Sequence, residues 1–150
     1  MIAHTDPIKK FTDMGIDEVV YDFYDSSVPP PYHRSYTITV KPDTVHIVVD
    51  SYGTIISDRK FGNTQEQFDH LIGLLDDSKI KNVKETDDDG CTGGTGEAIA
   101  CYKEGEKLFR GYARYCGGKR TGDLGGDIAS IKDYIISLIP DFSGLMKRED

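Results

Sequence analysis

The chain has 150 residues, of which 37% are hydrophobic and 29% are charged, a balance typical of a single globular domain. Its net charge of −8 opposes non-specific nucleic-acid binding, because that binding depends on neutralising phosphates with basic side chains. No run approaches the roughly 18 apolar residues that a membrane span needs, so we expect neither a nucleic-acid nor a membrane partner.

The N-terminal residues 1–16 are expected to form a loose arm or a short helix. They contain no apolar core of the kind found in secretory signal peptides, which favours a cytoplasmic location, although a protein whose leader had been removed would look the same. The first strand is predicted over residues 18–25, where β-forming side chains dominate. Residues 26–32 then form a rigid connection, because three prolines cannot enter a central ladder.

A hairpin is predicted over residues 34–40 and 44–50. Pairing Val40 with Val45 separates apolar from polar side chains more cleanly than the register one residue away. One face of the hairpin then carries six apolar or aromatic side chains, namely Tyr36, Ile38, Val40, Val45, Ile47 and Val49. The chain turns at Gly53 into a further strand over residues 54–61.

The clearest helix is predicted over residues 63–78. Thr64 and Gln67 fit a capping box at its start. Four apolar side chains recur at helical spacing and give it one apolar face, namely Phe68, Leu71, Ile72 and Leu75. An acidic link over residues 84–90 follows this helix.

A second hairpin is predicted over residues 97–103 and 107–115. Pairing Cys101 with Phe109 directs the apolar side chains of both strands to one face. The opposite, exposed face then carries arginine and tyrosine side chains, residue types that are enriched at protein interfaces. Three of them are candidates for partner contact, namely Arg110, Tyr112 and Arg114.

The last helix is predicted over residues 128–139, with Asp127 as its N-terminal cap, and residues 143–150 are expected to form a mobile tail. A hairpin, a glycine-containing turn and a capped helix thus occur twice, as in a degenerate repeat. We therefore expect one domain over residues 1–150, of the α+β class. It would have an antiparallel sheet built from hairpins, with two amphipathic helices packed on one face.

The segment 90–127 holds most of the 16 glycines and all three cysteines. Clustered glycine indicates backbone with positive φ, or backbone that something approaches closely. A site for a small ligand, an anion or a metal ion, or an enzyme active site, is one interpretation, lined by Cys91, Gly94, Glu97, Cys116, Gly118, Lys119 and Arg120. No phosphate-loop, metal or catalytic motif is complete there, so the sequence indicates no cofactor, no metal site and no catalytic residue.

The favoured interpretation is a non-catalytic protein-binding module of the inhibitor or immunity type. An acidic field speeds encounter with a basic partner, so a basic protein is the expected partner. The contact surface would combine the acidic link with the exposed face of the second hairpin, and the link contributes Asp87, Asp88 and Asp89.

In a reducing cytoplasm all three cysteines would be thiols, and Cys101 is predicted to face the core. In an exported protein, Cys91 and Cys116 form the pair that we expect to bridge. Such a bridge closes a loop of about 25 residues and stabilises the fold by roughly 3 kcal/mol.

The segments DSSVPPPYHRSYTITV (25–40), CTGGTGE (91–97) and YCGG (115–118) resemble a group of small, uncharacterised bacterial proteins. The resemblance implies no reaction, cofactor or ligand. It implies only that Cys91 and Cys116 act as a unit, through a disulfide or through packing.

Overall fold

The computed structural model describes residues 9–86 and 93–147 of the chain. Eight strands form one antiparallel sheet: β1 (Glu18–Tyr24), β2 (Ser35–Val40), β3 (Thr44–Ser51), β4 (Thr54–Gly62), β5 (Lys81–Thr86), β6 (Thr95–Lys103), β7 (Glu106–Cys116) and β8 (Lys119–Gly125). Their order across the sheet is β4-β3-β2-β1-β6-β7-β8-β5. Strand β1 is therefore central, and the antiparallel α+β class predicted from the sequence is confirmed.

Two helices begin at the residues that the sequence marks as caps. Helix α1 (Gln65–Asp77) follows Thr64, whose hydroxyl accepts a hydrogen bond from the Gln67 backbone N–H at 3.2 Å. Helix α2 (Ile128–Ser137) follows Asp127, whose carboxylate accepts from the Ser130 N–H at 3.2 Å. These caps satisfy backbone donors that have no partner inside the helix. A single helical turn, α3 (Phe142–Leu145), ends the ordered elements.

The sheet consists of two meanders that flank β1. Strands β2, β3 and β4 run outward on one side and lead into α1, and β6, β7 and β8 run outward on the other side and lead into α2. Strand β5 breaks the symmetry, because it returns to the far edge and pairs with β8. The twofold recurrence of strands followed by a capped helix thus has a counterpart in the topology.

Both predicted hairpin registers are present. Val40 pairs with Val45 across β2 and β3, and Cys101 pairs with Phe109 across β6 and β7. The six side chains predicted to share a face of the first hairpin are all buried in one hydrophobic cluster. The buried side chains of α1 and α2 belong to the same cluster, namely Phe68, Leu71, Ile72, Leu75, Ile128, Ile131 and Ile135.

Two strands were not predicted, and both have weak sequence patterns. Strand β5 carries one apolar side chain, Val83, and lies at the edge of the sheet. An edge strand can have mostly polar side chains, so its sequence need not alternate apolar and polar residues. Strand β8 contains Gly122 and Gly125, which disfavour a strand in isolation. Pairing with β7 supplies the backbone hydrogen bonds that this segment lacks on its own.

The described parts of both termini are packed more closely than the predicted arm and tail. Phe11, in a 3-10 turn (Phe11–Asp13), is buried edge-to-face against Phe109, and its N–H donates to Asp76 at 2.8 Å. At the other end, the Arg34 guanidinium donates to the carbonyl oxygen of Lys147 at 2.7 Å. Residues 1–8 and 148–150, which complete the predicted arm and tail, lie outside the described residues.

None of the helices in the described part of the chain has the length and apolar character needed to cross a bilayer.

Candidate functional site

The sheet has an inner face that contacts the hydrophobic cluster and an outer face on the opposite side. Successive side chains of a strand point to opposite faces, so Ile99 and Cys101 of β6 point inward while Gly96, Ala98 and Ala100 point outward. These three outward residues are all buried although they are small. Larger side chains of the neighbouring strands must therefore lie over them.

Three large side chains flank this line of small residues. Tyr24 of β1 pairs with Gly96, while Tyr112 and Arg110 of β7 pair with Ala98 and Ala100. The Tyr112 ring lies directly over Gly96, since a Cβ built on this glycine would be 2.6 Å from the tyrosine hydroxyl. Small residues on β6 therefore allow the tyrosines of β1 and β7 to approach each other. Their ring centroids are 6.0 Å apart, with the planes inclined at 61°.

A cavity of about 400 Å³ opens on the outer face beside these tyrosines. It is lined by Tyr24, Glu85, Arg110, Tyr112, Gly122 and Asp123, so four strands contribute to it. The Tyr112 N–H donates to Asp123 Oδ1 at 2.9 Å, which fixes this carboxylate against β7. The Asn82 side-chain amide donates to the Arg110 carbonyl at 2.8 Å and joins β5 to β7 at the same place. We call this the outer-face cavity.

The electrostatic environment of the cavity is mixed but mainly acidic. Burial raises the pKa of Tyr24, the nearby Asp22 carboxylate adds to the rise, and the Arg110 guanidinium beside the tyrosine hydroxyl opposes it. Asp22 is held in place by the Thr37 hydroxyl, which donates to its carboxylate at 2.5 Å. The cavity lining thus includes two carboxylates, Glu85 and Asp123, and the Arg110 guanidinium, while the Asp22 carboxylate acts on Tyr24 from the same face.

The outer-face cavity contains part of the predicted partner surface. Arg110 and Tyr112 line it, and Glu85, which belongs to the predicted acidic link, lies opposite them on β5. Arg114 points to the same face and donates to the Gly93 carbonyl at 2.8 Å. Asp87, Asp88 and Asp89 lie outside the described residues.

Tyr24 and Asp123 were not among the predicted site residues. Tyr24 lies within the first predicted strand, on the face opposite Tyr21, so strand periodicity alone could have placed it outward. Asp123 lies in the unpredicted strand β8, and no pattern in the sequence indicated its position.

The glycines of the predicted ligand site have structural roles. Gly117 and Gly118 form the two-residue turn between β7 and β8 with φ of 59° and 79°, as in a type I′ hairpin. Gly94, at φ 83°, lies against the backbone of Tyr115 and Cys116, and a Cβ at this position would collide with the Tyr115 carbonyl oxygen. Close strand contact and turn geometry therefore account for both predicted positions.

Glu97, another residue of the predicted ligand site, points to the inner face and is buried. Tyr21 donates its hydroxyl hydrogen to Glu97 Oε1 at 2.5 Å, and Tyr115 donates to Oε2. Each carboxylate oxygen therefore has a phenolic donor, as a buried charged group requires. Burial raises the pKa of both tyrosines, and their interactions with Glu97 raise it further. The same two causes raise the pKa of Tyr36, whose ring is 6.1 Å from that of Tyr21.

The remaining predicted ligand residues lie around the hairpin between β7 and β8. Lys119 pairs with Cys116, and Arg120 donates to the Gly126 carbonyl at 3.2 Å while lying beside the Tyr115 hydroxyl. The structure thus brings Gly94, Cys116 and Lys119 to one end of the sheet, whereas Glu97 points into the protein. Within residues 9–86 and 93–147, no group of three or more His, Cys, Asp or Glu side chains is arranged to hold a metal ion.

The cysteines differ in state. Cys116 takes part in a disulfide, whereas Cys101 is a free thiol in the core, where burial raises its pKa to about 12. The third cysteine, Cys91, lies outside the described residues, so its pairing with Cys116 stays a prediction.

Comparisons of the chain with protein-family models, with curated proteins and with solved structures each found no match. The assignment of a function therefore depends on the geometry of the site.

Tyr21→Phe is expected to lower the free energy of unfolding by about 1–3 kcal/mol, because it leaves Glu97 Oε1 buried without its phenolic donor. Tyr36→Phe is the matched control, since this tyrosine is also buried but the phenolic donors to Glu97 are Tyr21 and Tyr115. Urea denaturation of the two variants measures the difference. Equal decreases in the free energy of unfolding of the two variants would contradict a special role for the hydrogen bond between Tyr21 and Glu97.

The pH dependence of stability has a definite sign at alkaline pH. Tyr21, Tyr36 and Tyr115 have pKa values raised above the ordinary value of about 10. Because each of these tyrosines holds its proton more tightly in the folded than in the unfolded protein, the raised pKa values add to the free energy of unfolding. This addition is fully present below about pH 10 and is lost as the pH rises toward the folded-state pKa values. A titration of tyrosinate absorbance alongside circular dichroism should show that part of the nine tyrosines ionises only when the protein unfolds. Reversible ionisation of all nine near pH 10 in the native state would contradict this.

Gly94→Ala is expected to destabilise the protein more than Gly118→Ala. Both positions have a similar left-handed φ, so each alanine costs about 1–2 kcal/mol for its backbone conformation. The Gly118 position opens to free space, whereas the Gly94 position faces the Tyr115 carbonyl. Thermal denaturation of the two variants isolates the cost of the contact between the Cβ added at Gly94 and the Tyr115 carbonyl. Similar decreases in melting temperature would show that the backbone at Gly94 can move away from β7.

Proposed function

We propose that the chain is a non-catalytic protein-binding module of the inhibitor or immunity type, which binds a basic partner through its outer face. The observation that supports this most directly is the outer-face cavity. It brings Glu85 of the acidic link together with Arg110 and Tyr112 of the exposed strand face, the two surfaces that the sequence predicts as one contact region.

The side chains of the cavity suit a protein interface. Tyrosine and arginine are the residue types that most often dominate binding energy, and they do so in cavities shielded from water. Tyr24 keeps 41% of its surface exposed although its ring contacts Tyr112, so its surface is available to a partner. The net charge of −8 supports a basic partner, because attraction over long distances raises the association rate.

The inner face supports this assignment in a different way. Both helices, in our proposal, pack against that face alone, since their buried side chains share one cluster with the inward side chains of the sheet. Among the described residues, this arrangement leaves Tyr24 and Arg110 exposed on the outer face. Antiparallel sheets commonly have one face against a core and one face open to solvent or a partner.

The disulfide at Cys116 supports an oxidising compartment as the place of action. Disulfides persist in such compartments and are rare in the reducing cytoplasm, which was the location suggested by the N-terminal sequence. A small exported binding domain also gains stability from such a bond.

The experiment is capture of partners from the lysate and from the culture medium of the source cells with three tagged forms, read by mass spectrometry at low and moderate salt. The forms are the wild type, a face variant (Tyr24→Ala with Tyr112→Ala) and a control variant (Tyr32→Ala with Tyr52→Ala). The control removes two exposed tyrosines that do not line the outer-face cavity. Melting temperatures establish that each form is folded.

We expect a basic protein that the wild type and the control variant retain and the face variant loses. For the purified partner, the dissociation constant of the face variant should rise by roughly 30-fold, the effect of losing an interaction of about 2 kcal/mol. Equal retention by the folded face variant would contradict the assigned surface. The absence of any salt-sensitive partner for the wild type would contradict the function itself.

A further inference from the structure

The chemistry of the outer-face cavity is specific enough to name what enters it. Two tyrosine rings border the cavity, and their centroids are close enough for both to contact one inserted side chain. An aromatic ring attracts a cation over its face through its quadrupole, and tyrosine also contacts the alkyl stem of a long side chain.

The carboxylates around the rings favour a positively charged occupant. Glu85 and Asp123 line the cavity, and Asp22 acts on the Tyr24 hydroxyl from the same face of β1. The Arg110 guanidinium lines the cavity beside that hydroxyl and balances one of the two lining carboxylates. Arg114, on the same face, donates to the Gly93 carbonyl and is not among the described lining residues. The remaining charge is negative, so an anionic occupant would be repelled and a cationic one attracted.

The carboxylate of Asp123 is held in place before any ligand arrives. Its Oδ1 accepts the Tyr112 N–H, and within residues 9–86 and 93–147 no hydrogen bond engages the second oxygen, which can accept from another donor. Glu85 is exposed on β5 and lines the cavity, so its side chain is within reach of an occupant. Two acceptors and two rings therefore surround the space.

We infer that the outer-face cavity binds the cationic end of a lysine or arginine side chain supplied by the partner protein. This inference rests on the proposed function and deepens it, because it assigns a positive charge to the centre of the contact surface. The ring faces contact the stem, and Glu85 and Asp123 accept hydrogen bonds from the charged end.

The first experiment uses Nα-acetyl-lysine methylamide, which keeps its side-chain ammonium group, as the probe and follows the protein by NMR. The backbone amide of Tyr112 is the reporter, because its hydrogen is bonded to the Asp123 carboxylate. The control probe is N-acetyl-norleucine methylamide, which has an alkyl side chain without the ammonium group. Millimolar concentrations are appropriate for one isolated side chain.

We expect the lysine probe to shift the Tyr112 amide saturably and the norleucine probe to leave it unchanged. In the variant Glu85→Gln with Asp123→Asn, the dissociation constant for the lysine probe should rise by about tenfold. The asparagine keeps an oxygen for the Tyr112 N–H, so this variant should fold. Glu85→Gln alone, at an exposed position, gives a smaller rise and provides a second variant.

A matched control variant separates a local effect from a change in net charge. Glu66→Gln with Asp77→Asn removes the same two charges from exposed positions on α1. This variant should bind the lysine probe as the wild type does. Equal weakening in both double variants would overturn the assigned site.

Three other outcomes also overturn the inference. These are equal shifts with the norleucine probe, no shift with either probe, and undiminished binding by the folded carboxylate variants. The inference can fail while the proposed function holds. If the face variant loses the partner but the variant Glu85→Gln with Asp123→Asn retains it in full, the outer face binds a partner and the cationic occupant is wrong.

Discussion

The structure depends on the burial of strand β6 on both faces. This strand pairs with β1 on one side and β7 on the other, and thus joins the two meanders of the sheet. Its residues from Gly96 to Cys101 are all buried, with Glu97, Ile99 and Cys101 pointing inward and the smaller Gly96, Ala98 and Ala100 pointing outward. Because Gly96 and Ala98 leave little bulk on the outer face, Tyr24 and Tyr112 can close over the strand. A single alternation of residue size therefore determines both the core and the outer-face cavity.

Much of the fold could be predicted because its strongest patterns are local. The alternation over β2 and β3 gave the correct register, and the caps of α1 and α2 were visible as Thr64 and Asp127. Strands β5 and β8 could not be predicted for a physical reason. Strand β5 gains its strand conformation from pairing with β8, which is distant in sequence. Strand β8 lies between β7 and β5, and neither β5 nor β8 has a run of β-forming side chains.

The candidate site could be predicted only in part. Periodicity placed Arg110 and Tyr112 outward, but Asp123 enters the cavity through a strand that the sequence did not indicate. For Glu97 the relevant signal was available, because it has the same parity as Ile99 and Cys101, which were predicted to face inward. The cluster of glycines suggested a ligand, which stays a prediction, and Gly94 and Gly118 serve strand contact and turn geometry. Glycine content indicates where backbones come close together, and it does not indicate what they approach.

The placement of the cavity on strands has a consequence for binding. All six lining residues lie on β1, β5, β7 or β8, and the hydrogen bond between Tyr112 and Asp123 fixes two of these strands at the site itself. A partner that binds such a surface loses little free energy in ordering loops, so more of the contact energy appears as affinity. The stability of the sheet thereby contributes to recognition. A site built on connecting loops would need that ordering on each encounter, whereas this one is formed when the chain folds.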